Sequence, residues 1–502
     1  MRNRRFLSFL ILLSLLFSLT VPCFATETAA EETEESSQAA PLEEIPAGFD
    51  MLPELKEYAY PTDYYVSAKG AALIELNSQT IVYAYELDRQ LYPASLTKIM
   101  TCMLALEYGK LDDILTVSET ALENLSIYGS TAGLQVGEQI SLEELLYCIM
   151  VSSANEGCNV IAEHISGSVS SFVELMNEKA QQLKMMGTHY VNTHGLHDEN
   201  HYTTVRDLAT LACWAWQNPQ FREFATTVEH TVPATNLSEE RFLRTTNYLT
   251  DTETYGRYYY ERASGIKTGF TTPAGGCLTA TATDGDLAFL SVVCGCEMLI
   301  DYDGSDLDMR FVETRDLFDY GFETFTQVQI FSDTTMLDQK EVENGDSSHV
   351  VLHAAENVTV PLPRDYDPQG IELKLQYDSP SALRAPLEEG QRVGTVTALY
   401  NGIVLATSDL VTLTAIKNPA AQTQEETALS PETGEVVIVP PADKESGFGK
   451  FLLKYWYVTI PFALVLLLIL FLLILRGVNI YKAKQRAKRR RQQGAARRSR
   501  YD

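Results

Sequence analysis

A serine and a lysine three residues apart, Ser95 and Lys98, could together carry out nucleophilic catalysis. Apolar residues recur at helical spacing from Ile99 to Leu106, and Pro93 suits the first turn of a helix, so both side chains should lie on one helical face. A serine hydroxyl is a weak nucleophile until a base removes its proton. A lysine can be that base when burial and nearby positive charge lower its pKa. The pair alone is a weak indication, because Ser-x-x-Lys often occurs by chance.

Two further short motifs follow in the chain, Ser153-Ala-Asn155 and Lys267-Thr-Gly269. Ser153 comes directly after an apolar-periodic segment that predicts a helix, and a second helix is predicted shortly after it. Lys267 lies in a segment that predicts a strand. Each motif is common by itself. In this order and in these contexts, however, the three motifs are typical of one group of serine acyl-transfer enzymes.

The elements that must position these motifs follow from the periodicity of the sequence. Strands are predicted within residues 67–84 as a hairpin, and at residues 264–270, 276–282 and 287–293. Helices are predicted at residues 141–150, 158–165, 171–186, 204–217 and 308–320. The first of these helices has a capping box, Ser141 to Glu144. We therefore expect an α+β fold, with helices packed on one antiparallel sheet.

Composition divides the rest of the chain into further segments. Short β-rich runs between residues 325 and 415, separated by turn residues, predict a small β-sandwich. The predicted organisation is a signal peptide (1–25), an acidic linker (26–59), a catalytic domain (60–324), a β-rich domain (325–415), a second linker (416–450), a transmembrane helix (455–475) and a basic cytoplasmic tail (476–502).

Charge and hydropathy predict an exported protein held by one C-terminal span. Three arginines precede an uncharged apolar run at residues 6–19, as in a secretory signal. Residues 455–475 carry no charge and would extend about 31 Å as a helix, enough to cross a bilayer. Eleven Lys and Arg against one acid follow from Arg476, which suits the cytoplasmic side. The formal net charge of the whole chain is −28, which argues against a nucleic-acid partner.

The cysteines and histidines could bind a metal ion, or they could serve only in packing and hydrogen bonding. Seven cysteines remain after predicted loss of Cys23, and we expect buried free thiols; Cys294-Gly-Cys296 lacks redox or zinc spacing. Four histidines fall within thirteen residues, and they are His189, His194, His197 and His201. No pair has the spacing of a helical metal motif. We favour a turn-rich hydrogen-bonding loop, and we expect no metal and no cofactor.

With the flanking residues included, the sequence resembles the low-molecular-mass penicillin-binding proteins of the serine D-alanyl-D-alanine carboxypeptidase type. The segments that carry the resemblance are Tyr92-Pro-Ala-Ser95-Leu-Thr-Lys98-Ile-Met100, His194-Gly-Leu-His-Asp198 and Gly265-Ile-Lys-Thr-Gly-Phe270. It covers about residues 60–325, and the β-rich unit to about 415 looks like the second domain of that family. It implies a penicillin-binding/β-lactamase-like transpeptidase fold.

The resemblance implies an acyl-enzyme mechanism. Ser95 would attack the carbonyl between two terminal D-alanines of a peptidoglycan stem peptide, and Lys98 would take its proton. Ser153, with Lys267 nearby, would return a proton to the leaving D-alanine. β-Lactam antibiotics would acylate the same serine as covalent inhibitors.

The resemblance also implies the residues that hold the substrate. Backbone N–H groups of Ser95 and Phe270, beside Gly269, would form the oxyanion hole. Thr268 and Arg310 would hold the free carboxylate of the substrate. Asn155 would orient the catalytic lysine and the substrate amide, with Lys267 close by. Arg310 has an alternative role, since it could instead pair with Glu313 or another helix carboxylate.

Three features bear on alternative functions. Ala154 fits this family but differs from the Asp usual in class A β-lactamases, and Glu174, the nearest candidate for their deacylating glutamate, falls on a predicted helix surface. A full span and a basic tail replace the amphipathic C-terminal helix of many relatives. The alternatives are a β-lactamase or a D,D-endopeptidase of the same chemistry, and a non-catalytic wall-binding protein.

Overall fold

The computed structural model describes residues 55–419, apart from residues 58, 59, 61, 124, 127, 255, 302–305 and 380. The predicted signal peptide, most of both predicted linkers, the predicted span at 455–475 and the basic tail lie outside the described residues. Within the described part of the chain, no helix is long and apolar enough to cross a bilayer.

Residues 55–324, called the first lobe here, contain seven α-helices and twelve strands among the described residues. The helices are α1 (Lys98–Tyr108), α2 (Leu142–Met150), α3 (Asn155–Ser166), α4 (Val169–Gln182), α5 (Val205–Gln217), α6 (Pro219–Thr226) and α7 (Met309–Thr324). The strands are β1 (Lys56–Glu57), β2 (Gly70–Glu75), β3 (Thr80–Tyr85), β4 (Ile114–Thr116), β5 (Gln139–Ser141), β6 (Glu229–Val232), β7 (Arg241–Arg244), β8 (Ala263–Thr271), β9 (Gly275–Asp284), β10 (Leu287–Cys296), β11 (Met298–Ile300) and β12 (Asp306–Asp308).

One sheet with the strand order β1-β3-β2-β10-β9-β8 forms the centre of the first lobe. All its pairs are antiparallel except the short β1–β3 pair. Side chains alternate between its faces, as a strand requires: Ala72 and Ile74 face the helical core, whereas Ala71 and Leu73 face the core beneath α7. Because both faces are covered, nearly all residues of β2, β9 and β10 are buried. The expected α+β fold with one antiparallel sheet is confirmed.

Local sequence signals explain where most helices begin. The hydroxyl of Ser141 accepts the N–H of Glu144, so the predicted N-cap of α2 is confirmed. Thr204 caps α5 in the same way, by accepting the N–H of Asp207.

The seven cysteines of the described chain are all buried free thiols, as expected.

Some predicted boundaries were wrong. Helix α3 begins at Asn155, three residues before the predicted start, and α4 ends at Gln182 rather than near residue 186. The chain leaves the helix because Lys184 takes a positive φ of 58°. Helix α6 and the β6–β7 hairpin were not predicted, although Asn218 followed by Pro219 is a helix-start signal.

Residues 325–419, called the second lobe, form two packed sheets and confirm the predicted β-sandwich. Their strands are β13 (Phe325–Phe331), β14 (Asp338–Glu343), β15 (His349–Ala354), β16 (Val358–Pro363), β17 (Ile371–Tyr377), β18 (Leu383–Arg384), β19 (Arg392–Tyr400) and β20 (Ile403–Thr412). Strand β13 pairs with β16, and the other six form the order β17-β19-β20-β15-β14-β18. Two apolar clusters, separate from those of the first lobe, fill its interior.

Candidate active site

The Ser95 side chain is presented by a tight turn ahead of α1. Residues Ala94–Thr97 form one 3-10 turn that leads directly into the helix, and Ser95 is half-buried at its start. Ala94 takes a positive φ of 47°, a strained conformation for a residue with a Cβ. Gly195 packs against this turn so closely that a Cβ on it would lie 1.8 Å from the Ala94 carbonyl oxygen. Strain held by tight packing therefore fixes the position of the serine.

Lys98 lies fully buried one helical turn after Ser95, and its ammonium group has three close oxygen neighbours. Its Nζ donates to Ser95 Oγ at 3.0 Å, to Asn155 Oδ1 at 2.9 Å and to the carbonyl oxygen of His194 at 2.8 Å. The amide and the carbonyl can only accept from Nζ, whereas the hydroxyl of Ser95 can also donate. When Lys98 is neutral, its lone pair can therefore face the Ser95 hydroxyl.

The electrostatics of the site favour that neutral form. Burial lowers the pKa of Lys98 to about 8. Lys267 is also buried, and burial together with the nearby Lys98 and Arg310 lowers its pKa well below the usual value. Strongly perturbed lysines beside a cavity are typical of functional sites.

The second motif lies in the turn between α2 and α3. Ser153 is 4 % exposed and takes a positive φ of 64°. Its hydroxyl has no hydrogen-bond partner among the described residues, and it lines the same cavity as Ser95. Asn155, two residues later, connects this turn to α1 through its contact with Lys98. The strained turn thus aims one hydroxyl into the cavity.

Strand β8 forms the opposite wall and carries the third motif. Gly269 passes so near the serine turn that a Cβ on it would lie 3.0 Å from the backbone nitrogen of Ser95. Lys267 Nζ donates to the carbonyl oxygen of Thr268 at 3.0 Å. The Thr268 hydroxyl lies 2.5 Å from the hydroxyl of Thr246, a residue that was not predicted.

Arg310, at the start of α7, reaches the same wall. Its Nε and Nη2 donate to Asp308 Oδ2 at 2.9 and 2.7 Å, and its Nη1 donates to the carbonyl oxygen of Gly269 at 2.9 Å. The arginine does pair with a carboxylate, but Glu313, the suggested partner, instead accepts from Ser67. Two N–H groups of the guanidinium have no acceptor among the described residues and can face a ligand.

A cavity of about 570 Å³ joins these groups. Seven of the nine predicted site residues line it, namely Ser95, Ser153, Asn155, Thr268, Gly269, Phe270 and Arg310. The two lysines, Lys98 and Lys267, lie buried behind its surface. The structure thus brings all nine predicted residues to one place, although they span more than 200 positions of sequence.

The histidine-rich loop packs against α1 through hydrogen bonds. The Nε2 of His201 lies 2.8 Å from the hydroxyl of Thr97, and the carbonyl of His194 accepts from Lys98. Burial lowers the pKa of His201 to about 4 and that of His194 to about 3, so both rings are neutral near pH 7. These contacts agree with the prediction that both histidines belong to a turn-rich, hydrogen-bonding loop.

Sequence reasoning missed several residues that line the cavity. They are Ser126, Tyr128, Ser130, Thr246 and Tyr248. Thr246 follows the unpredicted β6–β7 hairpin, and no local pattern connects it to Thr268, 22 positions later. Glu156 was also missed, although it directly follows Asn155; its Oε1 holds the loop that contains Thr131, Ala132 and Gly133.

Comparison with known proteins gives matches over both lobes. Residues 57–298 match the D-alanyl-D-alanine carboxypeptidase family, Peptidase S11, and residues 325–418 match the C-terminal domain of penicillin-binding protein 5. The match to the structure of penicillin-binding protein 5 from Haemophilus influenzae covers 71 % of this chain and 100 % of the chain in that structure, with 28 % identity and a TM-score of 0.57.

Curated relatives extend over both lobes as well. The D-alanyl-D-alanine carboxypeptidase DacF of Bacillus subtilis is 30 % identical over 346 residues, which are 68 % of this chain and 84 % of the relative. The carboxypeptidase DacC of Escherichia coli is 33 % identical over 350 residues, 67 % of this chain and 81 % of the relative. Together with the Ser95, Ser153 and Lys267 motifs around one cavity, these matches show that the chain belongs to the serine D-alanyl-D-alanine carboxypeptidases, a family of low-molecular-mass penicillin-binding proteins.

Proposed function

We propose that this protein removes the terminal D-alanine from peptidoglycan stem pentapeptides through an acyl-enzyme on Ser95, and that β-lactams acylate the same serine. The observation that carries the proposal is the contact set of buried Lys98, which places a base of lowered pKa 3.0 Å from the serine hydroxyl. A non-catalytic wall protein would have no need for a buried lysine at this position, since an unpaired buried cation costs stability.

Acylation begins when neutral Lys98 accepts the proton of Ser95 Oγ, and the oxygen attacks the carbonyl carbon of the penultimate D-alanine. Asn155 and the His194 carbonyl hold the lysine amine during this transfer. The N–H groups of Ser95 and Phe270 stabilise the oxyanion, an effect worth roughly 3 kcal/mol for each donor. Thr268 and the two spare N–H groups of Arg310 bind the terminal carboxylate.

Collapse of the tetrahedral intermediate breaks the bond between the carbonyl carbon and the nitrogen of the terminal D-alanine. Ser153 passes its proton to that nitrogen and receives the proton that Lys98 took from Ser95, so Lys98 is neutral again; Lys267 lies nearby. Water then attacks the ester, Lys98 again acts as the base, and Ser95 is released. Glu174 takes no part, because it is exposed on α4 away from the cavity.

The direct test is mass spectrometry of the purified protein after brief incubation with a penicillin. We expect one stable adduct on Ser95, absent in Ser95→Ala, together with release of D-alanine from a peptide ending in D-Ala-D-Ala. Rapid loss of penicillin from solution without an adduct would point to a β-lactamase. No adduct and no hydrolysis would point to a non-catalytic wall protein.

A D,D-endopeptidase is the second candidate, because a D-alanyl-D-alanine endopeptidase of Pseudomonas aeruginosa is 33 % identical over 218 residues, 43 % of this chain and 67 % of that protein. Release of monomers from cross-linked peptide dimers, at a rate comparable with D-alanine release from pentapeptides, would favour this activity. Only monomeric pentapeptide serves as substrate under the main proposal.

We also propose export and membrane attachment, from the sequence alone. A signal peptide within residues 1–25 would direct export, and one span at 455–475 would anchor the protein with both lobes on the extracellular face. The linkers at 26–59 and 416–450 and the basic tail at 476–502 complete this arrangement. Carbonate extraction of membranes tests it: release of the protein into the soluble fraction would exclude the span.

A further inference from the structure

A pocket of about 200 Å³ lies next to the active-site cavity, at the turn that joins β8 to β9. Two residues of that turn, Pro273 and Ala274, line the pocket, and Thr272, just before them, lines the active-site cavity. The ring of Tyr92, which also lines the pocket, packs edge-to-face against His197 of the active-site cavity, with ring centroids 4.7 Å apart. The two cavities are therefore neighbours at the end of β8.

The charge of this pocket is positive, although the chain as a whole is acidic. Lys69 and Arg89 line it, and no Asp or Glu is among its described lining residues. Seven of the nine arginines in the first lobe pair with a carboxylate, whereas Arg89 pairs with none of the described ones. Asp88, its neighbour in sequence, instead accepts from Arg206 at 2.6 and 2.9 Å. Lys69 likewise forms no ion pair with a described carboxylate, so the pocket holds two cations without a counter-ion from the described chain.

Packing holds the lysine stem in place. Gly295 has a φ of 75° and lies so close to Lys69 that a Cβ on the glycine would lie 2.7 Å from the Cβ, Cγ and Cδ atoms of the lysine. The Nη1 of Arg89 donates to the carbonyl oxygen of Lys69 at 3.5 Å, which keeps the guanidinium beside the lysine. Like charges in one small pocket repel each other, and a bound anion removes that repulsion. The planar guanidinium suits a carboxylate, which it can bind through two parallel hydrogen bonds.

The direction of the bound peptide indicates which part of a substrate would reach the pocket. Under the proposed function, the terminal carboxylate lies at Thr268 and the reacting carbonyl at the N–H of Phe270, so the peptide runs back towards the end of β8. Three extended residues span about 10 Å, and Pro273 follows Phe270 by three positions. The second residue of a stem pentapeptide is thereby brought to the pocket. In peptidoglycan this residue is a glutamate joined through its side-chain carboxyl, so its α-carboxyl group can be a free anion.

We propose that Lys69 and Arg89 form a subsite for the free α-carboxylate of the second stem residue, and that the enzyme prefers stems in which this carboxyl group is not amidated. This inference rests on the proposed carboxypeptidase function and adds the substrate class that the enzyme prefers. Lys69 and Arg89 are specificity-determining residues here, and neither acts on the reacting atoms.

The test measures D-alanine release by the full-length protein from N-acetyl-L-Ala-γ-D-Glu-L-Lys-D-Ala-D-Ala and from the same peptide with the α-carboxyl group of its glutamate amidated. We expect kcat/KM to favour the free carboxylate about fivefold, as for two ion pairs near the protein surface. The double variant Lys69→Met with Arg89→Met removes both charges but keeps an apolar stem over Gly295, and we expect the preference to fall to within about 1.5-fold. A matched control, Lys374→Met on β17 of the second lobe, removes an exposed charge elsewhere and should keep the full preference.

Because any change at Ser95 or Lys98 would affect both peptides alike, the ratio of their kcat/KM values isolates the pocket. Equal values in the wild-type protein, or a preference that survives in the double variant, overturn the carboxylate subsite but leave the carboxypeptidase intact. Equal values together with inhibition by inorganic phosphate that the double variant lacks overturn it as well, and assign the pocket to a phosphate group. Absence of D-alanine release from both peptides, with no penicillin adduct on Ser95, overturns the proposed function and this inference together.

Discussion

At the scale of single residues, the proposed reaction depends on the positions of two protons, one on the Lys98 amine and one on the Thr268 hydroxyl. Lys98 must lose a proton before it can take one from Ser95, and the structure lowers its pKa by burial rather than by a hydrogen-bonded base. The Thr268 hydroxyl has a comparable constraint, because it has a single proton to donate. Each constraint predicts a result that can be measured on a single step of the reaction.

We predict that acylation by penicillin rises with pH and levels off above a pKa of about 8. The neutral fraction of Lys98 is roughly one tenth at pH 7 and half at pH 8, so the second-order rate constant should rise about fivefold between them. Stopped-flow acylation at several pH values measures this. Thermal unfolding over the same range is the control, and a rate that falls from pH 7 to 8 would exclude Lys98 as the base.

We also predict a role for Thr246 in holding the substrate carboxylate. When the Thr268 hydroxyl donates to an anionic carboxylate, its oxygen can accept only from Thr246, 2.5 Å away. The change Thr246→Val should therefore raise KM for D-Ala-D-Ala peptides about fivefold, because it removes the hydrogen bond to the Thr268 hydroxyl, and such a bond contributes about 1 kcal/mol. Thr246→Ser should restore the KM of the wild-type protein. Equal KM values for the wild type and both variants would contradict this role of Thr246.

At the scale of elements, the site depends on four segments that approach one another closely: the serine turn before α1, the turn between α2 and α3, strand β8 and the histidine-rich loop. The loop contributes a backbone carbonyl to Lys98 and braces the strained turn at Ala94 through Gly195. The positive φ values of Ala94 and Ser153 show where this packing forces the chain away from its preferred conformations.

We predict that Gly195→Ala abolishes most of the acylation activity. Gly195 has a φ of 86°, and an added Cβ would collide with the Ala94 carbonyl, so the serine turn must move. A displacement near 1 Å at a reacting group typically costs about a hundredfold in rate. Gly167→Ala is the control, since Gly167 also has a positive φ but no atom lies within 4 Å of its added Cβ. Similar acylation rates for both variants would refute this account.

At the scale of the whole molecule, the two lobes have separate apolar cores and a small set of contacts between them. Arg364 of the second lobe donates to the carbonyl oxygens of Phe322 and Glu323 at the end of α7, and the Tyr60 hydroxyl donates to the carbonyl oxygen of Pro361. Phe325, by contrast, belongs to the core of the first lobe, where its ring packs on Tyr60 and Tyr320. None of the described residues of the second lobe lines the active-site cavity.

We predict that a protein ending at Gln327, with residues 328–502 removed, keeps its acylation rate and its activity on soluble peptides within about threefold. The cut retains Phe325, and so leaves the core of the first lobe complete. Circular dichroism checks that this protein is folded. Loss of penicillin acylation in a folded protein would show that the second lobe supports the active site directly.

The sequence by itself determined the elements and the chemistry of this protein. Period-two and period-3.6 patterns identified five of the six strands of the central sheet and six of the seven described helices of the first lobe. Ser95, Lys98, Ser153, Asn155 and the Lys267 motif were found from local spacing, because each motif occupies a few adjacent residues. It also indicated the β-sandwich, although it missed β14 and the β6–β7 hairpin, whose alternation is weak.

Only the tertiary structure decided which distant groups meet. Thr246 reaches Thr268, His194 offers its carbonyl to Lys98, and Asp308 rather than Glu313 holds Arg310. The Glu156 carboxylate, at the start of α3, accepts from Thr131, Ala132 and Gly133 of the loop before β5. These contacts join residues through backbone turns and close packing, and no pattern of neighbouring side chains encodes which surfaces will meet when the chain becomes compact.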